Sequence, residues 1–428
     1  MREVACDVLV IGAGPAGLAA AATAAEGGAR VAVVDENSTA GGQIWRPETA
    51  HGPRPETSAM VERALVQEVR FLTGTTVFDA AGAGTLFAVN GGGLMMLRAE
   101  HVVLALGATE RFLPFPGWTL PGVFGVGGLQ ALAKNGLEIA NRRIVVAGSG
   151  PLLLAVAAWL KQHGARVLGI FEQAPKANVV RFGLGLWRHP RKLAQAVGLL
   201  GALRRVPRHH DAWPLSAEGD GRVERVTFAV RGSERTLQVD YLACGFGLAP
   251  TTGLAALLGC SISEGRVVVD DLQRTSIAGV LCAGESTGIG GVECALAEGV
   301  VAGHVASGHG DRARDACRRR DREREFAKTL AGAYTLRQEL RGLPSPETTI
   351  CRCEDVPWSA VAESDDGRDA KLKTRTGMGP CQGRVCGSAL EFLKRWPRDS
   401  VRPPLIPVTL GELTEVGAAW TTTEGHTR

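Results

Sequence analysis

Glycine supplies 56 of the 428 residues, about 13%, where an ordinary protein carries roughly 7%. These glycines sit in short motifs among apolar runs, which excludes collagen-like and disordered chains, and 45% hydrophobic against 21% charged residues is ample for buried sheets in two or three domains. The 48 Lys+Arg and 44 Asp+Glu give a net +4, too even a balance to argue for nucleic acid or a membrane surface as partner.

The N-terminal stretch Met1 to Asp7 lacks a cleavable signal pattern, because its apolar run enters a glycine turn. Residues 4 to 36 read as strand, turn, helix, strand. Val8 to Ile11 is apolar, Gly12-Ala-Gly14-Pro15-Ala16-Gly17 follows, an Ala-rich helix runs on to Glu26, and Val31 to Val34 ends in Asp35 and Glu36. In a nucleotide-binding unit Gly12 permits the tight turn, Gly14 lets a pyrophosphate approach bare backbone, and Gly17 lets helix and strand pack closely. The helix N-terminus offers free N–H groups to phosphate. Asp35 is placed to accept from ribose hydroxyls, with Glu36 as the next candidate. Pro15-Ala16 inside the motif and Gly41-Gly42-Gln43-Ile44 after it favour FAD over NAD.

A strand from Val102 to Leu106 closes this unit at Gly107. The pattern then recurs 136 residues after the first: Ile144 to Val146, Gly148-Ser-Gly150, a helix from Leu152, and a strand ending at Glu172. First glycine and terminal acid lie 23 residues apart in one copy and 24 in the other, so the nucleotide unit is duplicated. The second copy has Leu153 where a third glycine belongs, which should hold helix and strand apart, and Glu172 repels a 2′-phosphate. Its candidate ligands are NAD, FMN or another adenine nucleotide; the alternative is a domain that keeps the fold without one. His209-His210 read as a polar surface loop. Between Phe112 and Phe124 a cluster of Trp118 and prolines reads as either an exposed docking surface or a crossover between domains.

Tyr241 to Phe246 closes the second copy, and Val280 to Ala283, running into Gly284-Glu285, returns to the first. The segment Thr275…Gly279-Val280…Ala283-Gly284-Glu285 matches the second flavin segment of two-dinucleotide flavoproteins, where an acid at the place of Glu285 binds the ribityl chain. A helix N-cap is its plain alternative. The fold class expected is therefore α/β, a glutathione-reductase-like flavoprotein with two dinucleotide-binding domains: 1–118 plus 247–308 for FAD, and an inserted NAD-binding-like domain at 119–246. Residues 309–345 form a charged helical linker. From Asp311 to Glu325 seven arginines alternate with five acids, the pattern of a solvated helix.

Residues 346–415 read as a small domain. Cys351-x-Cys353 and Cys381-x₄-Cys386 give four thiols in two pairs, suited by softness to Zn²⁺ or an iron–sulfur cluster alike. Cys244, Cys282 and Cys294 sit in or beside apolar segments as small buried hydrophobes. Neither glycine unit carries a paired cysteine, which disfavours a flavin-linked disulfide reductase. No Ser/His/Asp or paired-carboxylate constellation stands out, so no acid–base catalyst is nominated. The last dozen residues are polar and read as loosely held. No apolar run reaches the ~18 residues of a membrane span, the longest being nine, so the chain reads as intracellular.

Asp35-Glu-Asn…Gly41-Gly-Gln-Ile-Trp-Arg46, Pro116-Gly-Trp-Thr-Leu-Pro-Gly122 and Ala283-Gly-Glu-Ser-Thr-Gly-Ile-Gly-Gly291 resemble the flavin-binding subunit of bacterial amine and imino-acid dehydrogenase complexes. That family includes the opine oxidase A subunit, the hydrogen cyanide synthase B subunit and the hydroxyproline dehydrogenase alpha subunit. Cys351-Arg-Cys-Glu354…Gly377-Met-Gly-Pro-Cys-Gln-Gly-Arg-Val-Cys386 is similar to a bacterioferritin-associated-ferredoxin-like [2Fe–2S] domain. The resemblance implies FAD, a [2Fe–2S] cluster on Cys351, Cys353, Cys381 and Cys386, and relay of electrons to a respiratory acceptor. Implied partners are a small ferredoxin-like subunit and a D-amino-acid-oxidase-like flavoprotein subunit. The implied location is cytoplasmic, peripheral at the inner membrane through the complex. A stand-alone NADH-dependent reductase is the alternative.

Overall fold

A computed structural model describes residues 1–45, 55–398 and 401–423; Arg46, the end of one matched phrase, lies outside them. The chain divides into two compact units, Met1–Ala108 with Pro250–Lys328 and Asp399–Arg428, and Thr109–Ala249 with Thr329–Arg398.

The first unit is built on a seven-stranded sheet centred on Arg2–Ile11, whose Val8, Leu9 and Val10 are wholly buried. This strand pairs in parallel with Val31–Asp35 on one side and Gly93–Leu104 on the other. The far edge of Gly93–Leu104 serves two partners. Thr85–Asn90 runs antiparallel along its first half, and Val280–Cys282 runs parallel along its last residues. Helices Pro15–Glu26 and Val292–Ala306 meet through small side chains: a Cβ on Gly299 would stand 2.2 Å from the Ala16 carbonyl oxygen. The alanine run is thus what lets two backbones close.

One expectation fails in this unit. The helix Gly310–Ala333 is not merely solvated: Arg320 is 1% exposed, and its Nη1 donates to the Asp271 carbonyl at 2.7 Å. Interleaved charge cannot reveal that Arg320 turns inward to an acceptor on another stretch of chain. The chain just ahead of the last dozen residues is held, and residues 424–428 lie outside the described ones. Leu405 donates its N–H to the Phe78 carbonyl at 2.8 Å, a helix spans Leu410–Thr423, and Val416 packs with Phe78, Phe87 and Met96.

The second unit carries a five-stranded parallel sheet in the order Arg208–His210, Arg166–Glu172, Arg143–Ser149, Tyr241–Phe246, Val123–Phe124, beside a three-stranded antiparallel sheet. The Phe112 to Phe124 stretch is not an exposed docking surface. Phe112, Leu113, Phe115 and Trp118 are buried in the core of this unit, and the Trp118 indole donates to the Thr349 carbonyl at 2.6 Å. Aromatic area of this size is stabilised by burial when its one polar handle finds an acceptor. Residues 349–396 form a short hairpin and three helices around Ile350, Val361, Leu390 and Trp396.

Candidate cofactor site

The first glycine turn has the constraints its motif implies. Gly12 has φ +107°, and a Cβ there would lie 2.3 Å from the Ala105 carbonyl oxygen. A Cβ on Gly17 would lie 1.8 Å from the Gly12 oxygen, so helix and turn close only without one. Gly42, with φ +60°, brings its loop against Gly14, and Gly284 comes against Ala16. Three stretches of bare backbone therefore converge at the N-terminus of the helix Pro15–Glu26. Asp35 closes the back of the turn: it accepts from the Ala13 N–H at 2.6 Å and from the Asn37 N–H at 2.8 Å. Glu36 and Gln43 are exposed.

Glu285 stands on the turn after Val280–Cys282. One carboxylate oxygen accepts from the Gly291 N–H at 2.9 Å; the other is buried and has no partner among the described residues. Burial pushes its carboxyl up to about 7 against two backbone N–H bonds. Behind it lies a network that sequence reasoning missed. Glu298, 2% exposed, accepts from the Gly284 N–H at 2.8 Å, the Thr287 hydroxyl at 2.7 Å and Arg324 Nε at 2.7 Å. Arg324 also donates to Gln273 Oε1 at 2.6 Å. Its one sequence signal was an acid in the middle of an otherwise apolar helix, beyond Glu293 in the first turn.

The second turn repeats this geometry, then departs from it. Gly148 has φ +130°, and Glu172 accepts from the Gly150 and Ala174 N–H groups at 2.8 Å each, as Asp35 does in the first unit. Burial pushes Glu172 up to about 7. Leu153 does not simply wedge helix from strand; it is 2% exposed in the core beside Val156 and Ile170. Residues 334–337 of the chain itself cross the turn. The Tyr334 carbonyl accepts from the Ser149 hydroxyl at 3.2 Å; Gln173, wholly buried, donates to the Thr335 carbonyl at 3.3 Å and accepts from the Arg337 N–H at 3.1 Å. Arg337 then pairs with Asp211 at 2.9 Å. His209 and His210 are not in a loop but on the strand beside Glu172, half-buried, and burial foremost lowers both.

Cys351 and Cys386 are buried and hydrogen-bonded to each other; Cys353 and Cys381 form a second, more exposed pair. The bond from Cys386 draws the Cys351 thiol down to about 5, and backbone N–H groups of Gly377, Glu354 and Cys353 point at the same sulfur. Cys386 is correspondingly held up. Among the described residues no group of three or more His, Cys, Asp or Glu side chains is gathered as a metal ion requires; the sulfurs meet two by two. Cys244 and Cys282 are wholly buried and Cys294 is 4% exposed, as small hydrophobes should be.

A family model described as pyridine nucleotide-disulphide oxidoreductase matches residues 6–299. The A subunit of opine oxidase from Agrobacterium tumefaciens is 34% identical over 96% of this chain and 92% of that relative. Hydrogen cyanide synthase subunit HcnB of Pseudomonas aeruginosa is 31% identical over 96% of this chain and 98% of that relative. Among solved structures, L-proline dehydrogenase from P. horikoshii is similar in fold, with a TM-score of 0.69 at 21% identity over 96% of this chain and 80% of that one.

Proposed function

The chain belongs to the pyridine nucleotide-disulphide oxidoreductase family, and from that membership we propose that it is the flavin-bearing, electron-transferring subunit of a multi-subunit dehydrogenase acting on an amine or imino acid. The observation that carries this reading is the contrast between its two glycine turns. One presents bare backbone beside a buried carboxylate oxygen without a partner among the described residues; the other is crossed by residues 334–337.

The first turn fits FAD. Gly12, Gly14, Pro15, Ala16, Gly17, Gly42 and Gln43 would receive the pyrophosphate, Asp35 and Glu36 the ribose, and Gly284 with Glu285 the ribityl chain. Glu298 holds the Gly284 amide, so the backbone beside Glu285 is set before any ligand arrives. The four thiols, with N–H groups aimed at Cys351, fit thiolate-bound iron in donor chemistry. When bound, a flavin accepts electrons in pairs and an iron–sulfur cluster carries them singly, and together they supply the redox chemistry. Gly148, Gly150 and Glu172 keep the turn of a nucleotide site; FMN or an adenine nucleotide would enter only if Tyr334 to Arg337 moved aside.

Relatives named as subunits of opine oxidase and of hydrogen cyanide synthase support an assembly. Its other members would be a D-amino-acid-oxidase-like subunit that oxidises the C–N bond and a small ferredoxin-like subunit, with a respiratory carrier as acceptor and the complex peripheral at the cytoplasmic side of the inner membrane. Anaerobic NADH is expected to leave the flavin of the purified chain oxidised, while dithionite bleaches it and raises an electron paramagnetic resonance signal from the cluster. Rapid bleaching by NADH would instead favour a stand-alone reductase. Colourless protein holding only zinc would remove both readings.

A further inference from the structure

We infer that the helix pair Lys176–Gly185 and Pro190–Ala202 is a docking surface for an anionic lipid face. This does not rest on the electron-transfer reading. Neither helix has a buried residue. Val180, Leu184 and Trp187 as far as the turn, and Leu193, Val197 and Leu200 after it, are exposed, Leu184 at 72% and Trp187 at 70%. Six of the 17 exposed large apolar side chains among the described residues thus fall within 21 positions. Leu193, Val197 and Leu200 at i, i+4, i+7 lay one apolar stripe along the second helix, and Val180 and Leu184 at i, i+4 lay another along the first, with Trp187 on the turn after it.

Charge decides what the stripes meet. Residues 176–205 contain seven Lys or Arg and no Asp or Glu, so this stretch alone exceeds the +4 of the whole chain. Among the described residues Arg181, Arg191, Arg204 and Arg205 make no ion pair. Potentials across an interface are complementary, so a stretch rich in cations with no acid of its own favours an anionic surface. An indole at the turn and aliphatic stripes between cations are the composition of a helix lying in the headgroup layer, its apolar face entering the acyl boundary. No described helix is long and apolar enough to cross a membrane, so the contact is peripheral. It would bring the chain to where lipid-dissolved electron acceptors diffuse.

The test is pelleting of the full chain with vesicles of phosphatidylglycerol and phosphatidylcholine in equal parts, against phosphatidylcholine alone. Co-pelleting with the first and not the second, relieved by high salt, is expected. Replacing Arg191 and Arg205 by Ala should weaken partitioning roughly 25-fold, at about fivefold per cation. Leu184→Asp with Val197→Asp should abolish it, with circular dichroism and flavin content unchanged as the control for folding. Failure of the wild type to pellet with anionic vesicles, or equal pelleting of folded variants and wild type, overturns the proposal. So does a variant-sensitive dimer that binds no vesicle, which would assign the face to protein.

Discussion

Burial sets the Glu172 carboxyl against its own two hydrogen bonds, and burial wins: the group sits at about 7, above an ordinary 4.5. Below about pH 4.5 it is protonated folded or unfolded, and its contribution to stability is fully present. That contribution fades as pH rises through 7, where the folded state must ionise a buried group, a loss of about 3 kcal/mol in all. Melting temperature of the flavin-free chain should therefore fall between pH 4.5 and 7.5. Glu172→Gln should flatten the part of that slope due to this residue while lowering the curve, because one of its two N–H partners loses its acceptor. Scanning calorimetry across pH reads both effects. Glu285, also raised to about 7, adds to the wild-type slope. Its orphaned oxygen makes a second prediction. Glu285→Ala should weaken binding of added FAD about 10- to 100-fold, the loss of one hydrogen bond to a charged group. Unchanged affinity by fluorescence titration would detach Glu285 from the site. Gly12, Gly17 and Asp35 were legible in the sequence because each answers a local backbone demand, a positive φ, a close approach or a strand end. Tyr334 was not, since nothing within ten residues of it marks a glycine turn some 185 positions upstream.

At the scale of elements, hydrophobic periodicity located the strands and helices of both glycine units, because buried parallel strands are continuous apolar runs and tolerate few alternatives. The helix Gly310–Ala333 was legible as a helix, but not the inward turn of its arginines. There the informative residues are Arg320 and Arg324, and their acceptors lie in other elements: the Asp271 carbonyl, Gln273 and Glu298. The aromatic stretch from Phe112 failed similarly, since exposed and buried tryptophans look alike until the Thr349 carbonyl is placed. Removing Arg324 leaves Glu298 buried beside Gly284 without its cation. Arg324→Met should cost about 3–5 kcal/mol in urea unfolding, and adding Glu298→Gln should recover most of it. Equal stability of the single and double variants would show that the pair does not hold this helix in place.

For the whole molecule, the two proposed cofactor sites draw on widely separated stretches of sequence, and their losses should separate too. Cys381→Ser is expected to remove protein-bound iron while leaving flavin per chain unchanged, as metal analysis and absorbance would show. Parallel loss of flavin would tie the thiols to the first unit's fold instead. The first unit also carries a cost in biosynthesis. Val280–Cys282, a rung of its sheet, leaves the ribosome about 176 residues after Leu104, the neighbour it must join. At roughly 5–20 residues per second that is a wait on the order of ten to thirty-five seconds. Throughout it the last residues of Gly93–Leu104 show an open β-edge on the nascent chain while residues 109–249 of the second unit emerge, an edge exposed to mispairing until Val280–Cys282 arrives.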